Sequence, residues 1–129
     1  LSKHTSGVNN GWTWSITGYL TTPTGVLFYG PGGGSVNAIG TKTITTGCWH
    51  MVTSVYTYST QQLKIYIDGV LDNTTSSIVS PNGAITSALN IGRDSAGSGY
   101  YFDGSLDDIR VYAIALNSTQ IGQLYTAKY

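Results

Sequence analysis

The stretch that decides the fold is Gln62-Leu-Lys-Ile-Tyr-Ile-Asp-Gly-Val-Leu-Asp-Asn-Thr-Thr75. Every second residue from Leu63 to Ile67 is aliphatic, which is typical of a strand with one buried face. The Asp68-Gly69 pair that follows tolerates the positive φ angles of a tight primed turn. The run that begins at Val70 can then pair back on the first run. The stretch therefore predicts an antiparallel β-hairpin.

Period-two patterns recur on both sides of this hairpin, and helical periodicity is nearly absent. The clearest further strand pattern is Gly11 to Thr17, in which Trp12, Trp14 and Ile16 share one face. Other predicted strands span residues 25–29, 38–44, 49–57, 87–92 and 105–112. The succession of short strands separated by turn residues predicts an all-β sandwich.

One helix is predicted at the C-terminal end of the chain. Asn117 can accept a hydrogen bond from a free backbone N–H of the first turn, and Gln120 can reach back to the N–H of Asn117. Aliphatic and aromatic residues then recur at helical spacing. We expect a short helix from about Asn117 to Tyr125.

Length and charge restrict the class of protein. The chain has 129 residues, enough for one domain, and its hydrophobic fraction of 40% can support a packed core. Its formal net charge is zero and only 9% of its residues are charged, which argues against nucleic acid as a partner. No apolar run approaches the length of a membrane span. The polar residues are mainly Ser, Thr, Asn and Tyr, as in extracellular proteins that face sugars, and equally in β proteins that favour Thr and Tyr.

Several motifs taken together resemble a known family. They are Gly47-Cys-Trp-His-Met-Val52, the hairpin of residues 62–70, Leu89-Asn-Ile-Gly92, Tyr101-Phe-Asp-Gly-Ser-Leu-Asp-Asp-Ile-Arg-Val-Tyr112 and Ala115-Leu-Asn-Ser-Thr-Gln-Ile121. In order and spacing they resemble the central strands, closing strands and final helix of the laminin-G-like, concanavalin A-like lectin/glucanase domains. The resemblance implies an antiparallel two-sheet jelly-roll sandwich with one short C-terminal helix.

The start of the chain departs from that family pattern. Family domains carry further strands before the one that Trp12 occupies, and residues 1–5 resemble the interior of such a domain. The resemblance therefore implies a single domain over residues 1–129 that is N-terminally incomplete. Either those strands are missing from this chain, or another chain donates them to an open sheet edge.

The acidic residues argue against catalysis. A glycosidase needs two carboxylates that flank the bond, but this chain has no glutamate, and the neighbours Asp107 and Asp108 would point to opposite faces of a strand. The chain has only two histidines, and His50 is expected to play a structural role rather than to activate a serine. Histidine and cysteine spacing fits no closed zinc site. We therefore expect a protein that is not an enzyme.

Candidate ligand-binding residues lie where exposed aromatic rings meet polar loops. They are Tyr29, beside the glycine-rich loop of residues 30–35, and Asp94, Tyr100 and Tyr101, around the loop of residues 93–99. The three tryptophans are expected in the core, and Cys48, the only cysteine, is expected as a buried apolar filler.

Asp107 is the candidate metal residue. It shares a predicted strand face with Ile109 and Val111, so a core-facing carboxylate would have to be paired, hydrogen-bonded or bound to a cation. The family resemblance implies Ca²⁺ near this position. The alternative is that Asp107 accepts backbone N–H bonds from an adjacent turn.

Two functions follow from these observations. The first is a secreted or cell-surface, lectin-like module that binds a glycan or a protein partner, as the family resemblance implies. The second is a structural or adhesive subunit of an extracellular filament or coat, completed by a strand-donating chain or by self-assembly. An enzyme is the weakest of the alternatives.

Overall fold

The computed structural model describes residues 1–4, 11–16, 26–29, 37–77, 86–93 and 101–128. These residues form two antiparallel sheets and one C-terminal helix. The first sheet has the order β1-β2-β3-β4, with strands Ser2–His4 (β1), Gly11–Ile16 (β2), Val26–Tyr29 (β3) and Asn37–Ile39 (β4). The second has the order β5-β6-β7, with strands Val52–Thr57 (β5), Gln62–Ile67 (β6) and Val70–Thr75 (β7). The predicted all-β sandwich class is confirmed.

The second sheet packs against other elements on both faces, mainly through its central strand β6. The aliphatic side of β6, Leu63 to Ile67, packs with Ala38 of the first sheet and with Ile44, and Trp14 lies against this cluster. On the other face of the sheet, Tyr66 and its neighbour Val55 pack against the helix. Because side chains alternate along a strand, Leu63, Ile65 and Ile67 point to the first cluster and Tyr66 points to the second.

The helix α1 (Ser118–Lys128) begins at the predicted capping box. Gln120 N donates to Asn117 Oδ1 at 2.9 Å, and Asn117 N donates to Gln120 Oε1 at 2.9 Å, so the two residues satisfy each other's backbone donors. Ile121 is fully buried against the second sheet, a burial that stabilises the fold by about 1.5–3 kcal/mol. The predicted helix is confirmed, and it extends three residues beyond the predicted end.

The predicted hairpin turn brings the helix close to the sheet. Asp68 and Gly69 have φ angles of 54° and 77°, as a primed turn requires. A Cβ atom built on Gly69 would lie 3.0 Å from Tyr125 Cβ. Because Gly69 has no side chain, it can adopt the positive φ of the turn, and α1 can pack directly against its backbone.

Two aspartates of the hairpin tie the sheets together through the segment of residues 40–51. Asp72 in β7 accepts hydrogen bonds from the backbone N–H groups of Thr41 and Lys42, at 2.7 and 3.1 Å, and from Thr41 Oγ1 at 2.7 Å. Asp68 accepts from Met51 N at 3.2 Å and from Lys42 Nζ at 3.0 Å. The segment that follows β4 is thus fixed at both ends by carboxylates of a single hairpin.

The Asp68 carboxyl is half-buried and charged. Partial burial raises its pKa, but the hydrogen bonds and charges of Lys42 and His50 outweigh burial and lower the pKa below the ordinary value of 3.8. A carboxyl whose pKa is lower in the folded than in the unfolded protein contributes stability above the unfolded value. That contribution is lost as the pH falls through the lowered folded value.

Several strand predictions are wrong. The predicted strand of residues 38–44 ends at Ile39, and the predicted strands at 87–92 and 105–112 do not form. Within the described residues these last two segments have no neighbouring strand along their length, and a strand is stable only when its backbone groups are paired.

Two burial predictions are wrong as well. Trp49 is 56% exposed rather than in the core, and Cys48 is exposed rather than a buried filler. Both residues precede β5, which begins only at Val52. The alternating pattern therefore starts later than the sequence suggests, and the Cys48-Trp49 pair lies in the connecting segment.

Gly69→Ala is expected to destabilise the fold more than Gly47→Ala does. Gly47 also has a positive φ, of 83°, but nothing lies within 4 Å of its Cβ position. Both variants should lose about 1–2 kcal/mol from the backbone strain, and Gly69→Ala should lose more through its contact with Tyr125. Urea unfolding measures both values. Equal losses would contradict the close approach of the helix.

Asp68→Asn is expected to lower the free energy of unfolding at pH 7 by about 1–3 kcal/mol, because hydrogen bonds to a charged acceptor are replaced by weaker ones. Asn tolerates the positive φ of this position. The difference from the unmodified protein should shrink below about pH 4, where the carboxylate of the unmodified protein becomes protonated. Asp103→Asn, which removes an equal charge from an exposed residue, is the control. A difference that stays constant down to pH 2 would contradict this account.

Candidate functional site

The predicted ligand residue Tyr101 lies beside Arg93. An antiparallel bridge pairs the two residues, and Phe102 N donates to Gly92 O at 2.8 Å next to it. Residues that are directly opposite each other in an antiparallel pair project from the same face, with Cβ atoms about 4.5–5.5 Å apart. Tyr101 is 71% exposed. The bridge therefore presents an exposed phenol and a guanidinium side by side.

Asn90 orients the Arg93 side chain. Arg93 Nε donates to Asn90 Oδ1 at 2.9 Å, and Asn90 Nδ2 donates in turn to Ala88 O at 3.2 Å. A guanidinium has four further N–H donors in a planar fork, which suits hydroxyl and carboxylate oxygens. We call Asn90, Arg93 and Tyr101 the hairpin patch, after the bridge between Arg93 and Tyr101. It is separate from the β6–β7 hairpin.

The other predicted ligand residues are not brought to this patch within the described part of the chain. The backbone of Tyr29 lies in β3, opposite Thr13 and Asn37, and its side chain lies outside the described residues. Asp94 and Tyr100 also lie outside them, in the segment that joins Arg93 to Tyr101. Their roles in ligand binding remain predictions.

Sequence reasoning missed Asn90 and Arg93. Arg93 is one of only six Lys and Arg residues in the chain, and it adjoins a loop that was already singled out for its tyrosines. A rare cation beside an aromatic loop was the available signal. Asn90 gave no signal of its own, because its role depends on its hydrogen bond to Arg93.

Asp107 does not face the core as its predicted strand position implied. Its side chain is 65% exposed, and it accepts hydrogen bonds from Asp108 N at 2.8 Å and Lys128 Nζ at 2.9 Å. The backbone bond comes from the next residue rather than from an adjacent turn, so the alternative interpretation of Asp107 stays a prediction as well. Lys128 Nζ also lies 3.3 Å from Asp108 Oδ2, so both carboxylates converge on one ammonium. The prediction that the two aspartates point apart is wrong, because residues 105–112 are not a strand and Asp108 has a φ of 51°.

Charge pairing governs the titration of this cluster. The hydrogen bond from Lys128 lowers the pKa of Asp107, and the backbone N–H of Asp108 adds to the effect. The hydrogen bond from Arg110 lowers the pKa of Asp108. In return, the hydrogen bond to Asp107 raises the pKa of Lys128. Both carboxylates are therefore ionised at neutral pH and already paired with protein cations.

Calcium fits this arrangement poorly. Calcium takes six to eight oxygen ligands, whereas a lysine ammonium lies against both carboxylates here. Among the described residues, no group of three His, Cys, Asp or Glu side chains is placed to hold a metal ion. The calcium role of Asp107 remains a prediction.

A hydroxyl, an imidazole and a carboxylate meet at the hairpin turn. Thr45 Oγ1 lies 2.9 Å from His50 Nε2, and His50 Nδ1 lies 3.0 Å from Asp68 Oδ2. Hydroxyl, imidazole and carboxylate follow one another in the order of a catalytic triad, in which the histidine activates the hydroxyl as a nucleophile. Asp68, however, also binds Lys42 and the Met51 backbone, so the chain of hydrogen bonds ties the loop before β5 to the turn. Its geometry matches the structural role expected for His50.

An apolar groove lies beside the helix. It has a volume of about 340 Å³ and is lined by Tyr112, Leu116, Gln120, Gln123, Leu124 and Ala127. Its walls are the outer side of α1 and the segment that leads into it.

In the described part of the chain, no helix is long and apolar enough to cross a membrane.

Comparison with known proteins places this geometry in a family. The family model described as the concanavalin A-like lectin/glucanases superfamily, of laminin G type, matches residues 4–122. No curated protein matches the chain. A solved structure titled S-layer domain-containing protein, from Clostridium thermocellum, is similar in fold, with a TM-score of 0.58 and 20% sequence identity. The match covers 78% of this chain and 51% of that structure, so this chain spans about half the length of that structure.

The match extends over nearly the whole chain, and the two antiparallel sheets and C-terminal helix agree with it. The chain belongs to the laminin-G-like family of the concanavalin A-like lectin/glucanases superfamily.

Proposed function

We propose that this protein is a non-catalytic extracellular binding module that recognises carbohydrate through the hairpin patch. The observation that carries the proposal is the bridge between Arg93 and Tyr101, which presents an exposed aromatic ring beside an oriented guanidinium. The ring offers an apolar face to the C–H side of a sugar, and the guanidinium offers donors to its hydroxyl oxygens.

Four aspartates that already have hydrogen-bond or ion-pair partners favour a binding role over a catalytic one. Asp68 and Asp72 are held by backbone and side-chain donors, and Asp107 and Asp108 are paired with cations. A glycosidase needs one carboxylate that is free to attack or to accept a proton and one that carries a proton. All four of these side chains are instead engaged in holding the fold or neutralising neighbouring charges.

Family membership and composition support an extracellular location. The superfamily name includes lectins, and the similar solved structure is titled as an S-layer domain-containing protein. The polar residues of this chain are mostly hydroxyls and amides, with 9% charged residues. A surface of this kind suits hydrogen bonding to polysaccharide more than electrostatic capture of a polyanion.

A second candidate function is assembly into an extracellular structure that another chain completes. The observation that favours it is a row of exposed apolar side chains in the segment of residues 102–114, including Val111 and Ile114. Surface patches of this kind mark interaction sites in soluble proteins.

Tyr101→Ala is expected to weaken glycan binding about tenfold or more, because aromatic anchors carry a large share of binding energy. Binding is measured by affinity electrophoresis in β-glucan, mannan and galactan. The matched control is Tyr58→Ala, because Tyr58 is 72% exposed but lies away from the bridge, in the turn between β5 and β6. Equal retardation of both variants, or no retardation of the unmodified protein by any glycan, would contradict the proposal.

The calcium role that the family resemblance implied for Asp107 has its own test. We expect the melting temperature to be the same in calcium and in a chelator, because Lys128 already neutralises Asp107. A ligand that binds only the folded state would raise the melting temperature with its concentration. A rise with calcium that disappears in Asp107→Asn would establish the metal site instead.

A further inference from the structure

A neutral partner, rather than a carboxylate, orients the Arg93 side chain. Arg93 Nε donates to the amide oxygen of Asn90 at 2.9 Å. Arg110 shows the other arrangement in the same chain, because its Nε donates to a carboxylate oxygen of Asp108 at 2.7 Å. Both guanidinium groups are held through the same nitrogen, but an amide does not neutralise the charge that it holds. The hairpin patch therefore presents a positive charge in a fixed orientation.

No carboxylate of the described residues forms an ion pair with Arg93. The chain has no glutamate, and four of its five described aspartates are held elsewhere in the fold, namely Asp68, Asp72, Asp107 and Asp108. The fifth, Asp103, is exposed and is not paired with Arg93. Asp94 lies outside the described residues. Within the described part of the chain, the charge of Arg93 is available to a ligand.

The outer edge of the Arg93 guanidinium suits a carboxylate ligand. Because Nε is engaged with Asn90, the two terminal nitrogens keep four N–H donors, and the residue is exposed. Two parallel N–H donors match the two oxygens of one carboxylate, and such charge-assisted pairs are stronger than hydrogen bonds between neutral groups. This guanidinium therefore gains more from a carboxylate than from the hydroxyl of a neutral sugar.

Tyr101 lies where the ring of the same sugar unit would stack. Tyr101 and Arg93 are directly opposite each other across the bridge, and their side chains project from one face. Tyr101 is 71% exposed, so a pyranose ring can lie against the phenol. The carboxylate of a uronic acid projects from the rim of its ring. A uronic acid stacked on Tyr101 can therefore direct its carboxylate to the neighbouring guanidinium.

We propose that the hairpin patch binds acidic glycans through a single uronic acid unit, with its ring on Tyr101 and its carboxylate on Arg93. This inference rests on the proposed function, because it names the class of sugar that the same site takes. Asn90 is a positioning residue in this account, since its amide orients the guanidinium and leaves the charge to the ligand.

The charge of the whole chain favours isolated carboxylates over a densely charged polymer. The formal net charge is zero, and four of the five other Lys and Arg side chains already hold an aspartate or a backbone carbonyl. Capture of a polyanion depends on clustered Lys and Arg. We therefore expect one guanidinium to meet one carboxylate at a time.

Ligands that differ only in charge provide the first test. Oligouronates of galacto, gluco and manno configuration are titrated into the purified protein by calorimetry, each beside its neutral methyl ester. At least one uronate should bind about fivefold more tightly than its ester, the upper range for an exposed ion pair. Equal affinity for every acid and its ester would overturn this inference, and binding of the esters would leave the proposed function standing.

Three variants assign the preference for the acid to the guanidinium. Asn90→Asp keeps an oxygen acceptor beside Arg93 but adds the kind of negative charge that Asp108 supplies to Arg110, so the preference should disappear. Arg93→Gln should remove the preference without adding a charge. Arg110→Gln is the control and should keep it, because Asp108 already neutralises Arg110. A preference that survives in either of the first two variants, with folding checked by circular dichroism, would overturn the inference.

Other polyanions and peptides provide the last arms of the test. Dextran sulfate should bind no more tightly than the uronates, and tight, strongly salt-dependent binding that persists in Arg93→Gln would show capture by another surface and overturn the inference. Oligoaspartate that binds as tightly as the uronates would overturn it too, because the patch would then recognise a carboxylate without the sugar. No binding of any acid or ester would contradict the proposed function together with this inference.

Discussion

The two carboxylates of the β6–β7 hairpin are the constraint on which the rest of the structure depends. Asp68 and Asp72 lie four residues apart, and between them they hold both ends of the segment that runs from β4 to β5. That segment carries the chain from one sheet to the other. Because Asp68 also occupies the primed turn, it fixes both the hairpin and the loop, and its neighbour Gly69 leaves room for the helix. A carboxylate accepts hydrogen bonds from several donors most strongly while it is ionised, and the lowered pKa of Asp68 keeps it ionised further into the acid range.

The rigid part of the molecule and its candidate binding surfaces are therefore separate. The second sheet is covered on one face by the first sheet and on the other by α1. The hairpin patch and the apolar row both lie C-terminal to this body, in segments that contribute little to the core. Recognition sites commonly occur on such segments held by a rigid scaffold. This arrangement lets ligand or partner contacts vary without cost to the central hairpin.

Sequence patterns predicted the parts whose signals are local. The Asp68-Gly69 turn, the strands on either side of it and the Asn117–Gln120 capping box each depend on residues within a few positions of one another. The strand predicted at residues 105–112 does not form in the described structure, because a strand requires a neighbour that the local pattern does not specify. The exposure of Trp49 and the pairing of Arg93 with Asn90 depend likewise on where strands begin and on contacts in space. Tyr101 was predicted from the sequence as a ligand residue, and its pairing with Arg93 became visible only through the bridge.

Amide hydrogen exchange, followed by mass spectrometry under dilute conditions in which the chain is monomeric, tests this account most directly. The account predicts the slowest exchange in residues 52–75, where three strands pair and the aspartates fix the hairpin, and fast exchange in residues 105–112, which lack ladder hydrogen bonds in the described structure. Protection of residues 105–112 equal to that of β6 in the monomer would show that the chain itself supplies the partner strand. That result would contradict the division between a central body that is closed by its own strands and an unpaired segment at residues 105–112.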